Sequence, residues 1–434
     1  MNRMAGFALV VLLAIAGVDP SEADAAHADW VALGKGNYAY ATVSTERSEP
    51  AKERAARQLA FNCASMSSNS YLGDQLPVKL PGTDLYRLDL DGLGWAKTWA
   101  TVLVRHYKYR PDLTTYGRYP LVVQAQFINA ELTDPIKTPG AASLLLYGRE
   151  LKTAQEFRNH WKVNVTKTEA FGFIEGASGV QAEGLQRLMV NYDTSLRTRF
   201  FETFDSKIVA GKNDPLENPV LGTLKFDGSE LIAGMPKHYN GQGGSLQAYF
   251  LADAKGNAVN VAPVDLVKDS EGVRGPDIRN QMDCIVCHTS GMQMPTVNAY
   301  REYLIGGAKI YADKHTKREL ERLYESPFVK ELDRQNEDYA AAVKLVNGLT
   351  PEKNAAEFVA CIKAYDAPVT LAQAAREVYS TPEELRLAIG GYAPTLKLTA
   401  RLSMLAEGQP ISRDQWKLNV GQVVLEILPA WRKK

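Results

Sequence analysis

One short run of residues constrains this chain more than any other feature of its sequence. It reads Asp283-Cys284-Ile285-Val286-Cys287-His288, so two cysteines stand three positions apart and a histidine follows the second directly. This spacing is the attachment signature of a c-type haem, in which two thiols add across the two vinyl groups of one porphyrin. The adjacent histidine is then predicted to be the proximal iron ligand. We therefore expect one covalent haem c, held by Cys284 and Cys287, with His288 on the iron.

Other interpretations of the motif are weaker. A thioredoxin-like redox pair is typical of a βαβ setting, and the flanking residues 279–282 and 289–292 show no such pattern. A structural zinc site needs four ligands, commonly as two close pairs, whereas the two remaining cysteines stand alone and far away. A disulfide within the motif remains an alternative for an exported chain, although it gives no role to His288.

The N-terminus predicts export. Arg3 precedes an apolar run over residues 5–18 that is too short to span a bilayer and is typical of a signal peptide. A small-residue cleavage site follows, either Ala23-Asp24-Ala25 or Ala26-His27-Ala28. An uncleaved anchor is the alternative. We expect a periplasmic or otherwise exported protein with residues 1–25 as the signal peptide, and no integral membrane protein after its removal.

The composition is that of a globular protein, because 45% of the 434 residues are hydrophobic and 23% are charged. Lys and Arg number 50, as do Asp and Glu, so no electrostatic argument favours nucleic acid. A local charged face for a redox partner protein is still compatible with this balance. Cys63 and Cys361 either pair in an oxidising compartment or remain two buried thiols, and the sequence leaves the oligomeric state open.

The predicted fold class is α+β, mainly α, with a small antiparallel β region just before the haem motif and a helical C-terminal third. The predicted divisions are an N-terminal α+β domain over residues 26–220, a β hairpin region with the haem segment over 221–298, and a helical domain over 299–434. The hairpin is expected to pair residues 246–251 with Val259 and Val261 across a turn at 255–257.

Local patterns predict the individual elements. Before residue 210 they indicate helices over 51–64, 96–107 and 153–161, strands over 83–91 and 119–132, and a strand or short helix over 199–205. In the C-terminal third, apolar spacing indicates helices over 299–310, 316–324 and 333–346. Hydroxyl residues followed by an acid or amide predict further helix starts at Thr350, Thr370, Thr381 and Ser412.

The sequence also resembles a family of bacterial exported c-type cytochrome domain proteins, typical of planctomycete genomes and of unassigned function. Its departure from the family pattern is an insertion at residues 237–242. The resemblance implies a monohaem cytochrome and brings no substrate with it. It covers most of the mature chain and rests on five segments: 86–95, 170–180, 226–232, 246–257 and 280–292.

The residue opposite His288 decides what such a haem can do, because a methionine there suits electron transfer whereas an open position permits ligand chemistry. Met235 is the leading distal candidate, since Met235-Pro236 ends a predicted strand in the region expected to face the haem. Weaker candidates are Met292, Met294, Met404 and His315.

Three functions follow as hypotheses. The first is a periplasmic electron-transfer cytochrome, which is favoured over an enzyme. The second is a haem enzyme, such as a peroxidase, or a small-ligand sensor with an open distal site near Arg274 or His238. The length of the chain motivates the second hypothesis. An electron shuttle needs only about 80 to 120 residues around its haem, toward the small end of domain sizes, whereas this chain has 434. The third is a binding protein in which haem is a structural staple. The sequence offers no catalytic residues for any other chemistry.

Overall fold

A computed structural model describes residues 20–72, 76–107, 122–174, 185–194, 199–207, 227–263, 267–270, 272–293, 328–392 and 400–428. The chain forms two compact units, each built from separated segments of sequence. Unit 1 comprises Met1–Ser67, Asp74–Leu132 and Glu357–Lys434, and unit 2 comprises Ser68–Gly73 and Thr133–Ala356. The expected class, mainly α with a β region, is confirmed.

Helices and strands are numbered here in chain order. The N-terminal elements are α1 Pro20–Ala32, β1 Tyr38–Thr42, α2 Glu49–Ser65, β2 Val78–Lys79, β3 Leu85–Asp89, α3 Leu90–Leu93, α4 Trp99–His106, β4 Val122–Gln124 and a π-helix at Phe127–Glu131. The central elements are α5 Ala141–Tyr147, α6 Ala154–His160, β5 Val163–Ile174, β6 Leu185–Thr194, β7 Phe200–Lys207, β8 Gly228–Tyr239, β9 Gln242–Asp253 and α7 Met282–Cys287. The C-terminal elements are α8 Phe328–Asn347, α9 Pro351–Asp366, α10 Leu371–Glu377, α11 Pro382–Tyr392, α12 Ala400–Ala406, α13 Arg413–Gln422 and a π-helix at Val423–Ile427.

Unit 1 contains a four-stranded sheet in the order β2-β3-β1-β4. Strand β1 pairs antiparallel with β3 and parallel with β4. Helix α1 packs on this sheet through Ala23 and Ala26, which share a core cluster with Tyr40. Buried Glu22 accepts hydrogen bonds from Thr42 Oγ1 at 2.9 and 3.0 Å. Both predicted cleavage sites lie within α1, so processing at either would remove Glu22 and these bonds.

The strand predicted over 119–132 is wrong beyond Gln124. Strand β4 has three residues, and the chain then enters a fully buried π-helix. The β-branched residues that favour a strand here are buried on all sides, and burial alone does not separate a core strand from a core helix. The predicted helices over 51–64, 96–107 and 153–161 are confirmed as α2, α4 and α6.

Unit 2 is organised by a five-stranded antiparallel sheet in the order β5-β6-β7-β8-β9. Strands β8 and β9 form a hairpin whose two-residue turn is Asn240-Gly241, with φ of 48° and 77°. Positive φ at both positions is typical of the type I′ turn, which Asn-Gly favours. The insertion at 237–242 therefore forms the turn of a hairpin that the local patterns did not indicate. The return predicted across 255–257 is present in short form after β9, since Ala252 pairs antiparallel with Ala258 and Val259 N donates to Leu251 O at 3.0 Å.

Successive side chains along β7, β8 and β9 point to opposite faces of this sheet. The helix face carries Phe200, Glu202, Met235 and Phe250, and Phe157 of α6 packs on it with ring centroids 5.6 Å from Phe200 and 5.2 Å from Phe250. The motif face carries the alternate positions, which are Glu230, Ile232, Gln247 and Tyr249.

The C-terminal helices begin where hydroxyl signals indicate. Thr370 and Ser412 cap α10 and α13 by accepting backbone hydrogen bonds, and Pro351 and Pro382 begin α9 and α11 directly after a threonine. The predicted helices over 299–310 and 316–324, and the boundaries at 220 and 298, lie outside the described residues. Among the helices that the structure describes, none is long and apolar enough to cross a membrane.

Candidate functional site

The Cys-x-x-Cys-His motif forms the short helix α7 and its C-cap. Cys284 and Cys287, three residues apart, share one side of the helix, and Cys284 is buried while Cys287 is partly buried. None of the four cysteines of the chain, including Cys63 and Cys361, forms a disulfide in the structure. Gln281, which precedes the helix, has a φ of 67°. Such backbone conformations in a non-glycine residue are strained and cluster at functional sites.

The His288 side chain is buried and fixed by the loop that follows it. Its Nδ1 lies 3.1 Å from the carbonyl oxygen of Gly291. Gly291 has a φ of 100°, and a Cβ there would lie 2.3 Å from Asn336 Oδ1, so the position requires glycine. Asn336 on α8 holds the loop by accepting from Met292 N at 2.6 Å and donating to Met292 O at 2.9 Å. Helix α8 thus fixes the carbonyl that orients His288.

The other ring nitrogen of His288 faces the sheet. Nε2 lies 3.4 Å from Glu230 Oε1, and the imidazole ring lies 5.6 Å from the Tyr249 ring. The Tyr249 hydroxyl donates to Gln247 Oε1 at 2.7 Å. Among the described residues, nothing partners the buried Gln247 Nε2. The motif therefore packs against a polar part of the sheet, where burial raises the pKa of Tyr249 well above its usual value.

A buried charge cluster braces the segment before the motif. The fully buried Asp134 carboxylate accepts from Arg274 Nη1 at 2.6 Å and from Arg279 Nη1 at 2.8 Å. The Asp283 carboxylate accepts from the backbone N–H of Arg279 at 2.7 Å. Burial raises the pKa of Asp283 to about 6, against the opposing effects of the Arg279 N–H bond and of the Arg279 charge. These contacts fix the chain that leads into α7.

The structure does not bring Met235 together with His288. The pairing of β8 with β9 runs without interruption from Gly228 to Tyr239, so Met235, five residues after Glu230, points to the helix face. It also lies about 17 Å further along the strand. His238 shares a face with Glu230 but lies about 27 Å along the strand and is exposed. Arg274 is engaged with Asp134.

The remaining distal candidates are distributed as follows. Met292 is buried beside the motif in the loop held by Asn336. Met404 belongs to α12 in unit 1. Met294 and His315 lie outside the described residues. The side chain that the structure places against His288 Nε2 is Glu230, which sequence reasoning had assigned to a β segment and not to the site.

Two residues of this site, Glu230 and Asn336, carry no local sequence signal for their roles. Glu230 is 58 positions and Asn336 is 48 positions from His288, counted along the sequence. Their approach depends on the sheet register and on helix packing. Gly291 differs from these two, because it lies three residues after the motif histidine, where a local pattern could have indicated it.

Among the described residues, no three His, Cys, Asp or Glu side chains are grouped so that they could hold a metal ion by themselves. Comparisons of the chain with models of protein families, with curated proteins and with solved structures gave no match.

Proposed function

We propose that this protein is an exported monohaem c-type cytochrome that transfers single electrons to or from a redox partner protein. The observation that carries the proposal is the state of His288: its Nδ1 is held by the Gly291 carbonyl, and its Nε2 faces the Glu230 carboxylate on the sheet at 3.4 Å. Histidines that bind metals commonly donate their second ring N–H to a backbone carbonyl, which fixes the tautomer and the ring orientation.

The residues present fit a covalently attached haem c. Cys284 and Cys287 lie on one side of α7 without a disulfide between them and would form the two thioether bonds. His288 Nε2 would ligate the iron, and the porphyrin itself would fill the equatorial positions, so no further cluster of protein ligands is required. A bound haem supplies reversible one-electron chemistry. The chain's own contribution is to orient His288 and, with buried Tyr249 and Ile232, to exclude water from its surroundings.

The test is covalent attachment in a bacterium that matures c-type cytochromes. We expect the full chain to retain haem after denaturation and organic extraction. Cys284→Ala and Cys287→Ala should each leave one thioether bond, and the double variant should lose all covalent haem. Cys361→Ala is the matched control, because it removes a buried free thiol from unit 1. Retention of haem by the double variant, or its absence from the wild type, would overturn the proposal.

The second candidate is a haem enzyme or small-ligand sensor with an open distal position. It is favoured by a specific observation, since the group against His288 Nε2 is the Glu230 carboxylate and Met235 lies on the other face. Carbon monoxide binding to the ferrous protein distinguishes the two functions. A low-spin, six-coordinate spectrum that carbon monoxide leaves unchanged supports electron transfer. A spectrum that shifts on carbon monoxide binding supports the second candidate.

A further inference from the structure

Unit 1 contains a polar cavity that the proposed haem chemistry does not use. Its volume is about 230 Å³, and its walls come from the loop before α2, the first turns of α2, the end of β4 and helices α9, α10 and α13. Exposed Arg47 and Ser48 lie at its mouth. At water's share of liquid volume, about 30 Å³, this space corresponds to about eight water molecules, which is enough for a small organic molecule.

The floor of the cavity is a buried ion pair that is satisfied within the protein. Arg413 Nη1 donates to both carboxylate oxygens of Glu377, at 2.7 and 2.8 Å, and Arg413 Nε donates to the Tyr365 carbonyl at 2.7 Å. Glu377 also accepts from Trp416 Nε1 and from Gln373 Nε2, each at 2.8 Å. The charges of Arg413 and Glu377 cancel. The net charge of the cavity is therefore set by the other residues of its walls.

The walls carry an excess of positive charge. Arg47 and Arg54 face a single further carboxyl, that of Glu46. Among the described residues, Arg54 interacts electrostatically with Glu46 and forms no hydrogen bond, and Arg47 donates one bond to Gln373 Oε1 at 3.3 Å. Helix α2 has 17 residues and begins at the cavity, where Ser48 caps it. The helix dipole also favours an anion at this end.

The buried side-chain amide of Gln126 in the wall indicates that the ligand also carries a hydrogen-bond donor. Gln126 is 6% exposed and donates through Nε2 to Glu46 Oε1 at 2.6 Å. Within the described part of the chain, its Oε1 has no hydrogen-bond partner. A buried acceptor without a partner is costly, so a ligand that offers it an O–H or N–H gains specificity. The cavity thus presents an anion-binding side and a hydrogen-bond acceptor.

We propose that this cavity binds a small organic carboxylate that also carries a hydroxyl or amino group, with the carboxylate on Arg54 and Arg47 and the donor on Gln126 Oε1. Guanidinium groups bind carboxylates through paired, charge-assisted hydrogen bonds. A 2-hydroxy acid of three or four carbons satisfies both sides within the available volume. The inference concerns unit 1 alone and stands independently of haem binding.

Calorimetric titration of the full chain with matched acids tests this proposal. L-lactate and L-malate should bind, whereas propionate and succinate, which lack the hydroxyl, should bind at least tenfold more weakly. Arg54→Gln should weaken lactate and malate binding at least tenfold, while Arg105→Gln, which removes an exposed arginine of α4, should leave it unchanged. Gln126→Leu should reduce the affinity for each hydroxy acid to that of its plain counterpart.

Three results would overturn the proposal. They are no binding by either hydroxy acid, equal binding of hydroxy and plain acids by the wild type, and tighter binding of inorganic phosphate than of malate. Preserved hydroxy-acid binding in folded Arg54→Gln would exclude the assigned carboxylate site. Thermal unfolding of each variant, recorded in parallel, shows that it is folded before titration.

Discussion

The two faces of the five-stranded sheet in unit 2 differ in the side chains that they bury. On the helix face, Phe157 of α6 packs against Phe200 and Phe250, and the one buried carboxylate described there, Glu202, accepts from Arg158 Nε at 2.9 Å. On the motif face, the Glu230 carboxylate meets His288 Nε2 and the Gln247 amide nitrogen is buried without a partner among the described residues.

The difference suggests a division of roles within one sheet, in which the helix face contributes mainly to stability and the motif face to the candidate site. Aromatic packing and a closed ion pair stabilise the part of the helix face that α6 covers, whereas Lys237 is buried near the far end of the same face. An unpartnered buried polar group costs about 1–3 kcal/mol, so the motif face retains polar groups that packing alone does not favour. Their position against His288 is consistent with a site whose chemistry requires them. Variants that act on one face only test whether the two faces have separate roles.

The largest expected effect is on the helix face. Phe157→Ala removes a fully buried ring from the contact between α6 and the sheet, and it should lower the free energy of unfolding by about 3–5 kcal/mol. Urea denaturation measures this change. The protein that remains folded should carry covalent haem with an unaltered absorption spectrum. A shifted spectrum would show that the two faces do not act separately.

Lys237 lies on the helix face near the end of β8, is 1% exposed and donates to the Asn69 carbonyl at 2.7 Å. Burial lowers its pKa from 10.5 to about 7. Between these values the unfolded chain binds more protons than the folded protein, so stability should rise with pH from 7 toward 10.5, by up to about 1.4 kcal/mol per pH unit.

Lys237→Met should remove this pH dependence. The variant should be more stable than the wild type at pH 7, because it no longer buries a charge, and the gain should shrink as the pH approaches 10. Urea midpoints at pH 7, 8 and 9 measure it. A gain that is constant with pH would exclude titration of Lys237 as its cause.

On the motif face, Gly291→Ala tests the loop that orients His288. The positive φ strains alanine, and the added Cβ meets Asn336, so we expect a loss of about 1–3 kcal/mol with a changed haem spectrum. Gly256→Ala is the matched control, since Gly256 has a φ of 79° with no atom within 4 Å of an added Cβ. Equal losses and unchanged spectra in both variants would contradict the role of Gly291.

The smallest expected effect concerns Met235. Met235→Leu conserves volume on the helix face and should cost less than about 1.5 kcal/mol. The absorption spectrum of the ferrous haem protein should be that of the wild type, because Met235 and Glu230 lie on opposite faces of the sheet. Loss of a low-spin spectrum in this variant would restore Met235 as the distal ligand.

Local signals explain which elements were predictable from the sequence. The helix starts at Thr370 and Ser412 depend on hydrogen bonds within four residues, and both are confirmed. The Asn240-Gly241 turn is equally local, but the residues around it were interpreted as an insertion, and only the shorter return from Leu251 to Val259 was predicted. Strands β5 and β6 were not predicted, although they form two of the five strands of the sheet.

The candidate site likewise contains residues that a local pattern predicts and residues that it does not. Its two thiols and its histidine are adjacent in sequence, so their spacing alone predicts their chemistry. The partners Glu230 and Asn336 reach His288 only through sheet register and helix packing, which no local pattern contains. Met235 was favoured by its position in the sequence, but a shift of one residue along a strand exchanges the faces of a sheet.

Peptide mapping of the matured chain shows directly whether Cys284 and Cys287 carry haem. Trypsin cleaves after Arg279 and Arg301, so one peptide, residues 280–301, contains both motif cysteines and His288. Mass spectrometry should find this peptide carrying one haem through two thioether bonds, with Cys63 and Cys361 unmodified. A peptide with two free thiols, or with a disulfide between Cys284 and Cys287, from a strain that matures other c-type cytochromes would contradict the account.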